Sequence, residues 1–139
     1  MILREVLHAH IPTLSAESTV RDAVDKMDVY QFPALVVVDE DTMPIGVLTE
    51  GDLCRVVTTR ENVTSIGNEP AYVHASKEPT TASPDMEIGE AFHLMLNSGL
   101  TLLPVVEESR LLGVVLRVDL MQAMFLDCVE VANEKGAGA

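Results

Sequence analysis

The chain has 139 residues, of which 47% are hydrophobic and 22% charged, and its 22 acidic residues outnumber its 9 basic residues to give a formal net charge of −13. This length suits one domain, or two very small domains that share a core, and the apolar fraction predicts a folded chain. The acidic balance excludes a protein that binds nucleic-acid polymers non-specifically, because such binding depends on clustered lysine and arginine.

The apolar stretches and the cysteines indicate where the protein works. The longest apolar runs, residues 34–38 and 111–116, are five and six residues long, whereas a helix that crosses a bilayer needs about 20 apolar residues. Glu5 interrupts the N-terminal segment where a secretory signal would have its apolar core. Cys54 and Cys128 follow no disulfide or metal-binding spacing. We therefore expect a cytoplasmic protein with no membrane contact.

The first predicted element is an amphipathic helix, because its apolar residues recur with the spacing i, i+3, i+4, i+7. These residues are Val20, Ala23, Val24 and Met27. The apolar runs at residues 34–38 and 45–48 predict two strands, and the acidic turn between them predicts a hairpin. The apolar spacing of residues 53–57 then predicts a second helix.

The same order of elements recurs after a polar, glycine- and proline-bearing connector. The apolar face of the next predicted helix consists of Ile88, Ala91, Phe92 and Met95. Residues 102–106 and 111–116 predict another hairpin, and Leu120 and Met124 lie on one face of a final helix. Residues 133–139 have no apolar periodicity, which predicts a disordered tail.

The two sets of elements are copies of one sequence unit. Residues such as Thr13 and Met27 match Thr81 and Met95 at a constant offset of 68, and the match continues to Asp52 and Asp119 after a one-residue deletion. A copy of about 60 residues buries too little surface to be stable alone, so the copies should share a core. We assign them to residues 1–62 and 71–132, with the connector at 63–70.

Each copy has an aspartate where a strand leads into a helix. In the first copy the motif is Gly46-Val-Leu-Thr49-Glu-Gly-Asp52, and Thr49 and Asp52 have the spacing of a helix capping box, worth about 1 kcal/mol. The second copy keeps Asp119 but has Leu116 in place of the hydroxyl residue. A carboxylate at this position can favour the helix dipole or accept hydrogen bonds from a sugar diol. Both interpretations stay open.

The repeated pattern resembles a tandem pair of CBS domains. The motif from Gly46 to Asp52 and the run Leu103-Pro-Val-Val-Glu107 are its most specific parts, and the match covers residues 1–124. The resemblance implies an α/β (α+β) fold of two β-α-β-β-α repeats that pack sheet to sheet about a pseudo-two-fold axis. It also implies two related clefts, which in this family often bind adenosine nucleotides such as AMP or ATP.

The resemblance implies a role for each candidate ligand-binding residue. The aspartate holds the ribose hydroxyls, the threonine lies near ribose and phosphate, and the segment that enters the first hairpin strand packs on adenine. The first copy supplies Asp52, Thr49, Thr13, Phe32, Pro33 and Ala34. The second copy supplies Asp119, Thr81, Leu100, Thr101 and Leu102. The candidate cations for a phosphate are Arg55 and Arg117.

Leu116 predicts that the second cleft binds nucleotide weakly or stays empty, and Val36 stands where the family usually has proline. Because cations are scarce beside these motifs, AMP is preferred over ADP or ATP. We expect a regulatory module that requires no cofactor, forms a homodimer and signals to an effector protein. The alternative is a ligand-free interaction module with vestigial clefts, and a metal ion or an S-adenosyl compound in the same clefts is a further one.

An enzyme is not expected from this sequence. No nucleophile has a base at a recognisable spacing, and no acid and base can be paired in a pocket. His8 and His10 lie two residues apart with no further ligand at metal-binding spacing.

Overall fold

Strands and helices follow one another in the order that the periodicity predicts. The computed structural model describes residues 1–59 and 62–137, with side chains up to residue 127. The elements are β1 (Thr13–Leu14), α1 (Val20–Tyr30), β2 (Ala34–Val38), β3 (Pro44–Thr49), α2 (Glu50–Thr59), α3 (Val63–Gly67), β4 (Ser76–Lys77), α4 (Ile88–Ser98), β5 (Leu102–Glu107), β6 (Arg110–Leu116) and α5 (Arg117–Ala137), with short 3-10 turns at Leu3–Glu5 and Ala71–His74.

The leading segment of each copy takes an edge of the other copy's sheet. In the first sheet β1 runs parallel to β2, β3 is antiparallel to β2, and β4, which leads into the second copy, is antiparallel to β3. In the second sheet β5 and β6 are antiparallel, and Ala82 bridges to Val105 in parallel. The remaining edge is taken by His8, whose backbone N–H donates to Val114 at 2.9 Å and whose carbonyl accepts from Val114 at 3.0 Å. The copies therefore exchange their leading segments.

The inner faces of the two sheets pack against each other, and the helices cover the outer faces. Side chains of both sheets meet in a shared buried cluster of Ala34, Val36, Leu102 and Val114. Separate clusters lie between each sheet and its helices, around Leu14 and Leu48 in the first copy and around Leu103 and Val115 in the second. The predicted fold class, two β-α-β-β-α repeats packed sheet to sheet, is confirmed.

The duplication extends to irregular backbone. The hairpin registers shift between Val37 and Val38 and, at the equivalent place, between Val105 and Val106. A bulge of this kind increases the local strand twist, so both hairpins curve alike. The first helix of each copy also ends in the left-handed region, at Gln31 (φ 57°) and Gly99 (φ 62°).

Two segments differ from the sequence analysis. The connector contains the short helix α3, which Asn62 caps by accepting a hydrogen bond from the Ser65 backbone N–H at 3.2 Å, and Ile66 of this helix is buried. The predicted disordered tail is wrong for residues 133–137, which continue α5 to Ala137. Each residue added to a helix gains one backbone hydrogen bond, and residues such as glutamate and lysine favour helix. Residues 138 and 139 lie outside the described part.

The part of the chain that the structure describes contains neither a membrane-spanning helix nor a metal-ligand cluster. No helix in the described part of the chain is both long and apolar enough to cross a bilayer. Among the described residues, histidine, cysteine, aspartate and glutamate side chains form no group of three that could hold a metal ion.

Candidate functional site

The junction of β3 and α2 is closed by Thr49 and Asp52. Asp52 Oδ2 accepts a hydrogen bond from the Thr49 backbone N–H at 2.9 Å, and the Asp52 backbone N–H donates to Thr49 Oγ1 at 3.1 Å. These are the two bonds of a capping box. Asp52 Oδ1 accepts a hydrogen bond from Arg55 at 2.7 Å, and the Arg55 side chain is 72% exposed. An exposed ion pair contributes about 0–1 kcal/mol, so a ligand can displace Arg55 at small cost.

Thr49 faces a cavity of about 330 Å³ between the two copies, which we call cleft 1. Leu100, Thr101 and Leu102 of the second copy line the same cavity. The other lining residues are Val47, Ser76, Lys77, Glu78, Pro79, Thr80, Ser98 and Gly99. In cleft 1 the strand-to-helix junction of the first copy is therefore combined with the strand-entry segment of the second copy. Pro33 and Ala34 of the first copy adjoin the same junction through the backbone, since the Glu50 N–H donates to the Pro33 carbonyl at 2.9 Å and Ala34 pairs with Thr49, but they do not line the cavity.

Lys77 is a lining residue that the sequence analysis missed. Its ammonium donates hydrogen bonds to the carbonyls of Ala75 at 2.9 Å and Val73 at 3.1 Å, and it lies 4.5 Å from the centroid of the Tyr72 ring. The lysine belongs to the leading segment of the second copy, where the two copies share no residue identities upstream of Thr81. Its place in the sheet would follow from extending the offset of 68 upstream of Thr81 and pairing each leading segment with the other copy.

The equivalent region of the second copy, which we call cleft 2, is crossed by side chains of the chain itself. Asp119 Oδ2 accepts a hydrogen bond from the Leu116 backbone N–H at 2.8 Å and lies 2.9 Å from His8 Nε2. The His8 ring meets the Phe32 ring edge-on, with centroids 5.7 Å apart. Asp119, His8 and Phe32 thus form a continuous chain of contacts between the helix start and the strand-entry segment.

The motif glycines provide room for the exchanged segments. A Cβ at Gly113 would lie 2.3 Å from the His8 carbonyl oxygen, which is closer than any real Cβ contact. A Cβ at Gly46 would lie 3.2 Å from the Ser76 carbonyl oxygen. Glycine is required at position 113 because the leading backbone approaches so closely there.

Asp52 and Arg55, although hydrogen-bonded at the junction, are not among the residues that line cleft 1, and the remaining candidate residues also lie outside it. The Thr13 carbonyl accepts a hydrogen bond from Lys26 Nζ at 2.7 Å, and Ala34 is buried in the cluster between the sheets. Arg117 lines a separate groove on the outer helices together with Pro33. Of the neighbouring pair Thr80 and Thr81, Thr80 lines cleft 1.

Comparison with known proteins agrees with this architecture. Residues 3–59 and 72–126 each match the family model of the CBS domain. An uncharacterised protein of Methanopyrus kandleri is 34% identical over 123 residues, which cover 85% of this chain and 60% of the relative. The chain spans about 60% of the length of the first curated relatives that it matches.

Solved structures share the fold at lower identity. AcuB of Vibrio cholerae superposes with a TM-score of 0.81 at 20% identity and covers 96% of both chains. CBSX2, solved in complex with AMP, superposes with a TM-score of 0.79 at 17% identity and covers 90% of this chain and 96% of that one. The two family matches and the paired copies show that the chain belongs to the CBS-domain family, as a tandem pair of CBS domains.

Proposed function

We propose that this CBS pair is a regulatory module that binds one adenosine nucleotide, preferentially AMP, in cleft 1. The observation that carries the proposal is that Thr49 lines one cavity with Leu100, Thr101 and Leu102, so that a hydroxyl beside a helix start and a largely apolar strand entry share the cavity. This arrangement suits a nucleoside, which has a polar sugar and an apolar base face. CBSX2, whose fold is similar, was solved with AMP bound.

The size and charge of cleft 1 favour a monophosphate. A volume of about 330 Å³ is near the lower end of the range for small-molecule sites, about 300–1,000 Å³. The charged lining residues are Lys77 and Glu78, and the Lys77 ammonium is held by backbone carbonyls. A triphosphate would need more positive charge than these residues supply.

Asp52 completes the proposed site by a change of partner. Its Oδ2 stays in the capping box, while Oδ1 exchanges the Arg55 guanidinium for a ribose hydroxyl. Released in this way, Arg55 is an exposed cation near the helix start that can approach the phosphate. A ligand held in this manner contacts both CBS domains, and it shifts their relative arrangement by its differential affinity for the two states. We propose that an effector protein responds to this shift and that the module acts as a homodimer without catalysis.

The interaction module without a ligand is the second candidate, and cleft 2 is the observation that favours it. His8 and Phe32 occupy the region equivalent to cleft 1, and Asp119 is engaged by His8 and by the Leu116 N–H. In that account cleft 1 is the remnant of a ligand site, and its counterpart, cleft 2, is already occupied by side chains of the chain.

Calorimetric titration of AMP into matched variants separates the two candidates. Leu100 is the counterpart of Phe32 at the offset of 68, so Leu100→Phe introduces into cleft 1 the side chain that fills cleft 2. We expect one AMP per chain, loss of binding in Leu100→Phe, and retained binding in Phe32→Leu. No heat at millimolar AMP, or equal binding in both variants, would contradict the nucleotide site. S-adenosylmethionine titrated in parallel tests the other adenosyl ligand.

A further inference from the structure

One wall of cleft 1 spans the two sheets. At its start β4 (Ser76–Lys77) pairs with β3 in the first sheet. At its end, in the second sheet, the Ala82 N–H donates to the Pro104 carbonyl at 3.0 Å and the Ala82 carbonyl accepts from the Val106 N–H at 2.8 Å. Residues 78–80 lie between these two anchors and line cleft 1. The position of this wall segment, residues 76–82, therefore depends on how firmly each end is held.

The end of the wall segment in the first sheet has little backbone pairing. β4 is a two-residue strand at the edge of the sheet, and both of its residues are exposed. The next residue, Glu78, has φ 50°, a left-handed conformation that a non-glycine residue keeps only where surrounding contacts fix it. Two paired residues beside a strained one are a weak anchor, so this end depends on side-chain contacts.

The Lys77 side chain supplies those contacts. Its ammonium donates hydrogen bonds to the carbonyls of Tyr72, Val73 at 3.1 Å and Ala75 at 2.9 Å, and it lies 4.5 Å from the centroid of the Tyr72 ring. These carbonyls lie in or directly after the second 3-10 turn, whose first residue is fully buried in the core of the first domain. Lys77 thus connects the wall segment to a fixed part of that domain.

The same contacts determine which charges cleft 1 offers to a ligand. A lysine ammonium has three donors, and the three carbonyls use all of them. Lys77 can bind a phosphate only by giving up one of these bonds. The neighbouring Glu78 forms no ion pair or hydrogen bond within the part of the chain that the structure describes. The uncompensated charge on this wall is therefore negative.

We infer that Lys77 is a positioning residue of cleft 1. It holds the wall segment against the 3-10 turn, and it gives no charge to the phosphate of the ligand. This inference rests on the proposed nucleotide site and assigns the wall of that site to Lys77, while Arg55 remains the cation for the phosphate.

Parallel calorimetric titrations of AMP and adenosine test the assignment. Lys77→Met keeps the apolar part of the side chain and removes the three donors. We expect it to weaken AMP and adenosine by the same factor, about tenfold, because hydrogen bonds of a charged group are lost from the wall and none from the ligand. A larger loss for AMP than for adenosine would overturn the inference, since it would place Lys77 on the phosphate. Unchanged binding of both would overturn the positioning role.

The matched control is Glu78→Gln, which removes a negative charge from the same wall. It should strengthen AMP by about threefold and leave adenosine unchanged, because only AMP carries a phosphate that the carboxylate repels. A ratio of the two dissociation constants that stays at the wild-type value would overturn the assignment of Glu78 as the uncompensated charge.

Hydrogen exchange without ligand separates positioning from a general loss of stability. In Lys77→Met the amides of the wall segment should exchange faster than in the wild type, while those of β2 and α4 keep their protection. Unchanged exchange in the wall segment, or faster exchange throughout the chain, would overturn the positioning role. A wild type that binds neither AMP nor adenosine would contradict the proposed function instead, and the exchange measurement would still decide the role of Lys77.

Discussion

His8 Nε2 lies 2.9 Å from Asp119 Oδ2, and this contact joins residues separated by 111 positions in the sequence. It connects the leading segment of the first CBS domain to the helix start of the second. At the equivalent place in the first domain, Ser76 stands in the position of His8 and leaves cleft 1 open. The two homologous regions therefore differ, since cleft 1 is a cavity whereas contacts among His8, Phe32 and Asp119 cross cleft 2.

Opening cleft 2 should create a second nucleotide site. The triple variant His8→Ser, Phe32→Leu, Leu116→Thr gives the second cleft the residue types of the first at these positions. We expect calorimetry to show an increase from one to two AMP molecules per chain. An unchanged stoichiometry in a folded triple variant would contradict the view that these three side chains are what closes cleft 2.

The two motif glycines should differ in their tolerance of alanine. Gly113→Ala places a methyl group against the His8 carbonyl oxygen, which should cost about 3 kcal/mol of unfolding free energy because backbone must move. Gly46→Ala meets its neighbours at 3.2 Å and should cost about 1 kcal/mol. Urea denaturation measures both values. Equal losses would show that the leading segments do not approach the sheets as described.

The first helix of each copy ends at a residue with a positive φ, Gln31 after α1 and Gly99 after α4, and substitutions there should have opposite effects on stability. Gln31→Gly should stabilise the protein by about 0.5–1 kcal/mol, because glycine adopts a positive φ without the steric cost that glutamine bears. The variant loses the exposed hydrogen bond from Gln31 to the Asp28 carbonyl, which reduces the gain. Gly99→Ala should destabilise by about 1 kcal/mol, since open space surrounds the position and φ alone opposes the change. Thermal unfolding of both variants checks these opposite signs.

The cap of α1 should make stability depend on acid pH. Hydrogen bonds from the backbone N–H and then the side chain of Thr19 lower the pKa of Asp22 below its ordinary value of 3.8. A lowered carboxyl pKa contributes stability that is present above pH 3.8 and disappears as the pH falls through the lowered value. Asp22→Ala should thus be less stable than the wild type at pH 6, and the difference should shrink towards zero in strong acid.

The control for this pH dependence is Glu90→Ala. Glu90 occupies the equivalent position of α4, and the residue that precedes this helix, Glu87, makes no side-chain capping hydrogen bond. Denaturation curves across the same pH range should show a smaller change for this variant. A difference between wild type and Asp22→Ala that persists unchanged in acid would contradict the role of the Asp22 carboxylate.

Periodic patterns predicted the fold because each helix and strand buries one face. The i, i+3, i+4, i+7 spacing in α1 and α4 and the short β-branched runs in β2 and β5 fall where the structure has them. The Thr49–Asp52 capping box also follows from residue type and spacing alone. Such local features depend on neighbours in sequence, so the sequence is sufficient for them.

The composition of the clefts depends on contacts between distant segments, and the sequence analysis could not predict it fully. Grouping candidate residues by copy separated Thr49 from Leu100, Thr101 and Leu102, because sequence similarity does not show which leading segment completes which sheet. His8 and Lys77 lie in segments without apolar periodicity, where one hydrogen-bonded approach to the sheet decides their position. Their roles became visible only when the exchange of segments was known.

A crystal structure of the chain grown with AMP tests the central claim most directly. The account predicts one AMP per chain in cleft 1, with the adenine against Leu100, the ribose hydroxyls on Asp52 and Arg55 displaced from Oδ1. His8 should still contact Asp119 in cleft 2. AMP bound in cleft 2, or crystals with cleft 1 unoccupied at saturating AMP in solution, would contradict it.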